Sequence, residues 1–336
     1  MNGIKELFAN GDNIVSTHAL FSKFSDEILD MAYFNHYTLV MDEVADVVEQ
    51  MGISKDDLDT ILKNYAIIKE DGMLEWTAPN YVGKFEEYKS MIEMESVTVH
   101  RTQDGDNIAF LWFFPVKVFQ SFKEVYILTY MFDGQIQKYY YDFYGVDFKY
   151  LYVKDMHLTE ERQVYDDSKI KGLINVCKID KLNQIGYLPT ALSKSWFDRN
   201  KGNALMKQLR NNVSNYFRHI VNSPHSDTLW TTFKEHEPSL KGKGYGRSFV
   251  SLNIRATNDY IERKTIAYLA NRYLNPIIVN FFRSRGVLIN EDQFALSELI
   301  QFIFRGAIRK GEPINVYIPS KRMRDIMTNW INKKEE

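Results

Sequence analysis

Two adjacent carboxylates, Asp42 and Glu43, end the strand-forming run Tyr37-Thr38-Leu39-Val40-Met41. In an open α/β sheet, ligands gather at the carboxyl ends of the strands. An acidic pair there is placed to hold a Mg²⁺ ion and to orient an attacking water. Val44-Ala45-Asp46-Val47-Val48 follows and reads as the start of a helix. The same pair would also serve an ordinary helix N-terminus, which favours acidic side chains. A second set lies near the other end of the chain. Gln301, Arg305 and Arg309 are spaced i, i+4 and i+8, which puts them on one face of a helix. Guanidinium groups in such a row can reach a phosphate, although a solvated basic stripe has the same spacing.

Four further polar clusters invite a nucleic-acid reading. Ser16-Thr17-His18 follows a short strand at 13–16; hydroxyls and amides at a helix start can hold a strand phosphate, or simply cap the helix. Arg255, Thr257 and Asn258 follow a strand at 249–254, where they form either a binding surface or a capped turn. Lys321, Arg322 and Arg324 open the last helix and offer a backbone contact or a solvated terminus. The loop Lys241-Gly242-Lys243-Gly244-Tyr245-Gly246-Arg247 is glycine-rich and basic, suited to single-strand contact or to a connector. The seven histidines are scattered without paired metal spacing, and one cysteine cannot build a zinc site.

The elements that must position these residues alternate. Strands are expected at 13–16, 37–41, 96–100, 108–112 and 125–130, with a helix near 135–144; this alternation predicts a parallel sheet. Residues 51–80 read as an insertion. Ser54 caps a helix over 55–64, and Asp71-Gly72 turns a hairpin between Ala66-Ile67-Ile68 and Met73-Leu74-Glu75-Trp76. The charged stretch 153–171 reads as a linker between a domain over 1–152 and one over 172–336. The second half alternates again, with strands at 173–177, 228–233, 249–254 and 313–318. Its helices are expected at 204–220, 262–285, 291–309 and 321–331.

A chain of 336 residues, 45 % hydrophobic, can build two domains. The single Cys177 excludes an intrachain disulfide and fits a reducing compartment. The N-terminus lacks an apolar signal core, and no run reaches the roughly 18 apolar residues of a membrane helix. The expectation is a soluble, cytoplasmic protein with no membrane contact. A net charge of −2 hides an asymmetry. Residues 1–150 carry 12 Lys and Arg against 25 Asp and Glu, a net −13, and the remainder carries 30 against 19, a net +11. A basic half suits a phosphate-bearing partner; mutual attraction of the two halves accounts for it equally well.

Taken in order, the clusters resemble the motifs of superfamily 2 (DEAD/DEAH-like) helicases, in a form carried by phages and other mobile elements. Val15 to Phe21 looks like the early strand-contact motif and Leu39-Val40-Met41-Asp42-Glu43 like motif II, the Walker B element. Tyr126 to Tyr130 sits where motif III is expected. Leu192-Ser193-Lys194-Ser195-Trp196 looks like motif IV, Arg255 to Asn258 like motif V, and Gln301 to Arg309 like motif VI. The resemblance implies two RecA-like domains with parallel sheets and ATP with Mg²⁺ in the cleft between them. Asp42 would bind the metal, Glu43 would activate water, and Gln301, Arg305 and Arg309 would face the nucleotide. Ser16, Thr17, His18, Ser193, Lys194, Trp196, Arg255, Thr257 and Asn258 would line a DNA or RNA strand. Three departures stand out: Tyr130 replaces the second Ser or Thr of motif III, the motif VI arginines are four apart where the family has three, and no GxxxxGK[ST] loop occurs. The first domain is therefore expected to be N-terminally incomplete, with a second polypeptide supplying the phosphate loop. Two alternatives remain open: an inactive helicase-like nucleic-acid-binding protein, and a Mg²⁺-dependent nuclease using Asp42 and Glu43.

Overall fold

The computed structural model describes residues 2–21, 23–101, 108–163, 166–252, 254 and 258–333. The chain forms two units, Met1–Asp147 with Leu274–Ile289, and Phe148–Tyr273 with Asn290–Glu336.

The first unit contains β1 (Thr38–Met41), β2 (Val48–Gln50), β3 (Ala66–Ile68), β4 (Leu74–Trp76), β5 (Val97–Arg101), β6 (Ile108–Phe113) and β7 (Glu124–Ile127). β1 and β7 form a two-stranded parallel sheet, in register from Thr38 opposite Glu124 to Met41 opposite Ile127. Between them in sequence lie an antiparallel sheet of order β2-β6-β5 and the hairpin β3–β4. The hairpin turns where Asp71-Gly72 predicts it. Gly72 takes a left-handed φ of 87°, and Asp71 Oδ1 accepts the Met73 amide at 2.9 Å, an Asx turn. Ser54 Oγ accepts the Asp57 amide at 3.2 Å and starts the helix Lys55–Asn64. Leu58 and Ile61 of that helix are buried with Leu74, Val97, Val99 and Phe110. The helix Pro276–Ser284, from late in the chain, also belongs to this unit. Asn275 caps it and donates to Gln50 Oε1 at 2.8 Å, and Phe281 packs on Phe113 with ring centres 4.9 Å apart.

The second unit opens with a hairpin of β8 (Tyr152–Lys154) and β9 (His157–Thr159). Its sheet holds β10 (Ile174–Val176), β11 (Thr228–Thr231), β12 (Thr265–Tyr268) and β13 (Ile314–Tyr317), all parallel, in the order β10-β13-β12-β11. Every residue of β11 and β12 is buried, as parallel strands covered on both faces must be. Helices Ala204–Asn215, Glu291–Ile303 and Lys321–Asn332 are the longest of the unit.

The mixed α/β class with parallel sheets matches expectation, but in the first unit only the strands expected at 37–41 and 125–130 pair in parallel; those expected at 96–100 and 108–112 pair antiparallel in a separate sheet, and several other elements differ. Residues 13–16 form no strand, and Val44–Val47 form no helix, because Val48 begins β2. Among the described residues of 249–254 there is a single bridge, Phe249 to Trp230. The helix expected over 262–285 is instead β12, a loop and Pro276–Ser284. Thr265-Ile266 favours strand, and the residue before Pro276 is steered away from helix. The expected linker 153–171 holds β9 and most of the helix Ser168–Gly172, and both belong to the second unit.

One close approach fixes part of that unit. A Cβ on Gly186 would lie 1.9 Å from the Pro319 carbonyl oxygen. Gly186→Ala should therefore cost at least the ~1–3 kcal/mol of overpacking and lower the thermal midpoint by several degrees. Gly172→Ala, where a Cβ meets nothing within 4 Å, should leave it unchanged. Calorimetric scans of both variants check this.

Candidate functional site

The acidic pair leaves the sheet where β1 and β7 end together. The Leu128 amide donates to the Met41 carbonyl at 2.8 Å, so Leu128-Thr129 emerges beside Asp42-Glu43. Asp42 is exposed and Glu43 half-buried. The segment after the pair is braced from below. The Ala45 amide donates to Oε1 of Gln137 at 2.8 Å, Gln137 is fully buried, and its Nε2 donates to the Tyr141 hydroxyl at 3.1 Å. Burial pushes the Tyr141 hydroxyl up to about 12, against the opposing hydrogen bond from Gln137, so it stays protonated at neutral pH. Among the described residues, no group of three or more His, Cys, Asp or Glu could hold a metal. Two carboxylates still suit Mg²⁺, which is commonly held by one or two of them together with phosphate oxygens and water.

Of the other early residues, Thr17 acts as a cap. Thr17 Oγ1 accepts the Leu20 amide at 3.3 Å at the short helix His18–Phe21. Ser16 Oγ donates to the Thr17 carbonyl at 3.1 Å, and His18 is half-buried.

In the second unit, the arginine row differs from expectation. The helix ends at Ile303, and a turn leads into the 3-10 segment Ala307–Lys310. Gln301, Arg305 and Arg309 therefore do not share one helical face. The cause is Gly306. A Cβ there would meet Ile314 Cδ1 at 2.6 Å and the Arg263 carbonyl oxygen at 2.8 Å, and the Ala307 amide donates to that carbonyl at 2.8 Å. The chain is thus pulled onto the amino ends of β12 and β13. Gln301 and Arg305 are half-buried, and Arg309 Nη1 donates to Asn258 Oδ1 at 2.7 Å. Two residues singled out separately are brought together. Arg255 and Thr257 lie outside the described residues.

Ser193, Lys194 and Trp196 take structural places. Ser193 Oγ accepts the Trp196 amide at 3.3 Å and caps the helix Lys194–Asn200. Lys194 pairs with Glu235 at 3.0 Å on the surface, and the Trp196 ring belongs to the core. Arg322 is a clamp. It donates to Asn271 Oδ1, the Arg272 carbonyl and the Glu291 carbonyl, pairs with Asp292 and lies 4.1 Å over the Tyr273 ring. Arg324 is turned back to the carbonyls of Ile318 and Pro319. The glycine-rich loop is anchored rather than loose. Tyr245 is buried and donates to the Leu240 carbonyl at 2.6 Å, which leaves Lys241, Lys243 and Arg247 exposed on the surface.

Fold and sheet order define a mixed α/β protein whose C-terminal unit is Rossmann-like, and the YonV C-terminal Rossmann-like domain matches residues 168–331. The YonV middle domain matches residues 48–112, the stretch from β2 almost to the end of β6. The SPbeta prophage-derived uncharacterized protein YonV of Bacillus subtilis (strain 168) is 41 % identical over 347 residues, covering 99 % of this chain and 83 % of that protein. The chain belongs to the YonV family. No solved structure matches it.

Gln137 is the site residue that sequence reasoning passed over; its one signal is a polar residue in an otherwise tyrosine-rich helical run. Gln137→Leu keeps the volume but strands the buried Ala45 amide, a cost of ~1–3 kcal/mol. Native-state hydrogen exchange should show the Ala45 amide opening faster, with unfolding shifted to lower denaturant.

Proposed function

We propose that the chain is the core of a nucleic-acid helicase or translocase that uses ATP and Mg²⁺, and that by itself it binds strands without turning over nucleotide. One observation carries this reading. The strand ending in Asp42-Glu43 and the strand leading to Leu128-Thr129 are direct parallel neighbours, although the whole middle-domain match lies between them in sequence. That puts the motif II and motif III candidates at one sheet edge. The second unit adds support. Its four strands are all parallel, as the resemblance to RecA-like domains implies. The nuclease alternative needs further carboxylates beside Asp42 and Glu43, and no such cluster is found among the described residues.

Chemically, Asp42 would help hold Mg²⁺ on the β- and γ-phosphates and Glu43 would orient the attacking water. What the 336 residues do not contain is a GxxxxGK[ST] loop, whose amides and lysine cradle those phosphates. Strand binding needs only charge. The exposed Lys241, Lys243 and Arg247 offer it on a loop anchored by Tyr245.

Titrating a labelled single-stranded oligonucleotide at several salt concentrations, with and without Mg²⁺-ATP, tests the reading. Strand affinity should fall with salt, be indifferent to ATP and survive Asp42→Ala. Replacing Lys241, Lys243 and Arg247 by Ala should flatten the salt slope by about 2, at ~0.7 per phosphate contact on single strands. ATP turnover that Asp42→Ala abolishes would refute the inactivity proposed for these 336 residues, and no strand binding at low salt would refute the nucleic-acid reading.

A further inference from the structure

Arg285, just past the helix Pro276–Ser284 of the first unit, forms no ion pair among the described residues. Its guanidinium lies 3.7 Å over the Phe281 ring. Nη1 makes two long contacts, 3.5 Å to the Phe281 carbonyl and 3.4 Å to Ser284 Oγ. Nη2 reaches over the β3–β4 turn, where a Cβ on Gly72 would come within 3.4 Å of it. Desolvation lowers the Arg285 pKa, yet the residue as a whole is exposed. One face of the guanidinium is covered by the ring and its edge is open. Taking a charge out of water is costly unless it meets a partner.

His100 stands next to it. Side chains alternate along a strand, so Thr98 and His100 share the face of β5 opposite the core residues Val97 and Val99. Phe281 lies on that face, with its ring 6.0 Å from the imidazole. The Thr98 hydroxyl donates to the Gly72 carbonyl at 2.9 Å, which ties β5 to the turn under Arg285. His100 is only 7 % exposed, and its ring nitrogens have no hydrogen-bond partner among the described residues. Burial, and then the Arg285 charge, hold its pKa below the usual histidine range, so the ring is neutral at pH 7 and keeps one N–H to donate. The turn also carries Asp71, which acts on Tyr144 instead: burial and then Asp71 push that hydroxyl up to about 12. No ion pair joins Asp71 to Arg285 among the described residues.

We propose that Arg285 and His100 form a binding site for a phosphate group, with the Phe281 ring as the support that fixes the guanidinium. The fork of Arg285 takes two oxygens and the imidazole N–H takes a third. A planar carboxylate would be satisfied by the guanidinium edge alone and would leave His100 without a role; a tetrahedral group has an oxygen for it. The site is built on the β2-β6-β5 sheet and its helix, not on the β1–β7 sheet that ends in Asp42-Glu43, and it does not depend on the reading of that pair.

The test adds inorganic phosphate, acetate or a single-stranded oligonucleotide to the full chain and follows the Arg285 Nε–H and His100 ring signals by NMR. Phosphate should shift both sets together and saturably. Arg285→Lys keeps a cation at the helix carboxyl end but loses the fork, and should weaken phosphate binding about tenfold or more. The substitution is at an exposed position, and an unchanged thermal midpoint separates loss of the site from loss of the fold. His100→Asn should weaken binding as well while leaving the Arg285 signal responsive. An oligonucleotide that moves the same signals at lower concentration than phosphate would support the site and assign it to a strand backbone; a response to phosphate alone would support it and assign it to a small phosphate ligand. Acetate binding as tightly as phosphate would overturn the proposal. So would signals that neither phosphate nor the oligonucleotide moves, or phosphate binding unchanged in Arg285→Lys.

Discussion

The acidic end of the first unit depends on the parallel pairing of β1 with β7. Parallel strands cannot be joined by a tight turn, and here the intervening chain builds a sheet and a hairpin of its own. The pairing sets Thr38 opposite Glu124 and Met41 opposite Ile127, so the acidic pair and Leu128-Thr129 leave the sheet at one level. A register slip of one residue would turn every side chain to the other face and bury Val40 in place of Met41. The hydrogen bond from the Ala45 amide to Gln137 then holds the chain just beyond the pair. Geometry at the acidic end follows from backbone pairing and one buried amide side chain.

The second unit reaches its geometry differently. Its strands β11 and β12 are buried throughout, and several of its polar residues fasten loops to the sheet. Arg322 ties the Asn271-Arg272 segment to the start of Glu291–Ile303, and Gly306 lets the chain close against Arg263. These arginines are positioned by carbonyls and short polar side chains of the same unit. Arg309 on Asn258 is of this kind, yet it remains at the surface.

Local signals were legible where short-range chemistry decides the outcome. Ser54 and Asp71-Gly72 each do in the structure what their residue type predicts. β10, β11, β13 and the helix Glu291–Ile303 could be located from apolar runs and caps alone. What could not be read was set by distant partners. The helix expected after Glu43 is lost because Val48 pairs with Phe113. The arginine row is broken by a contact between Gly306 and Arg263, and nothing in an i, i+4, i+8 spacing reports such a contact. Trp196 illustrates the same limit: a tryptophan in a polar segment suits base stacking, but here its ring fills the core. The acidic pair itself was visible from sequence, whereas the brace at Gln137 was not, because only the fold brings it to Ala45.

Paramagnetic broadening by Mn²⁺-ATP, followed on backbone amides, tests the central claim most directly. The parallel β1–β7 end predicts that the amides of Glu43 and Thr129 broaden together, ahead of the other acidic segments of the chain, and that Asp42→Ala removes both effects. Broadening that spares this strand end, or that persists unchanged in Asp42→Ala, would contradict a nucleotide-bound metal at Asp42 and Glu43.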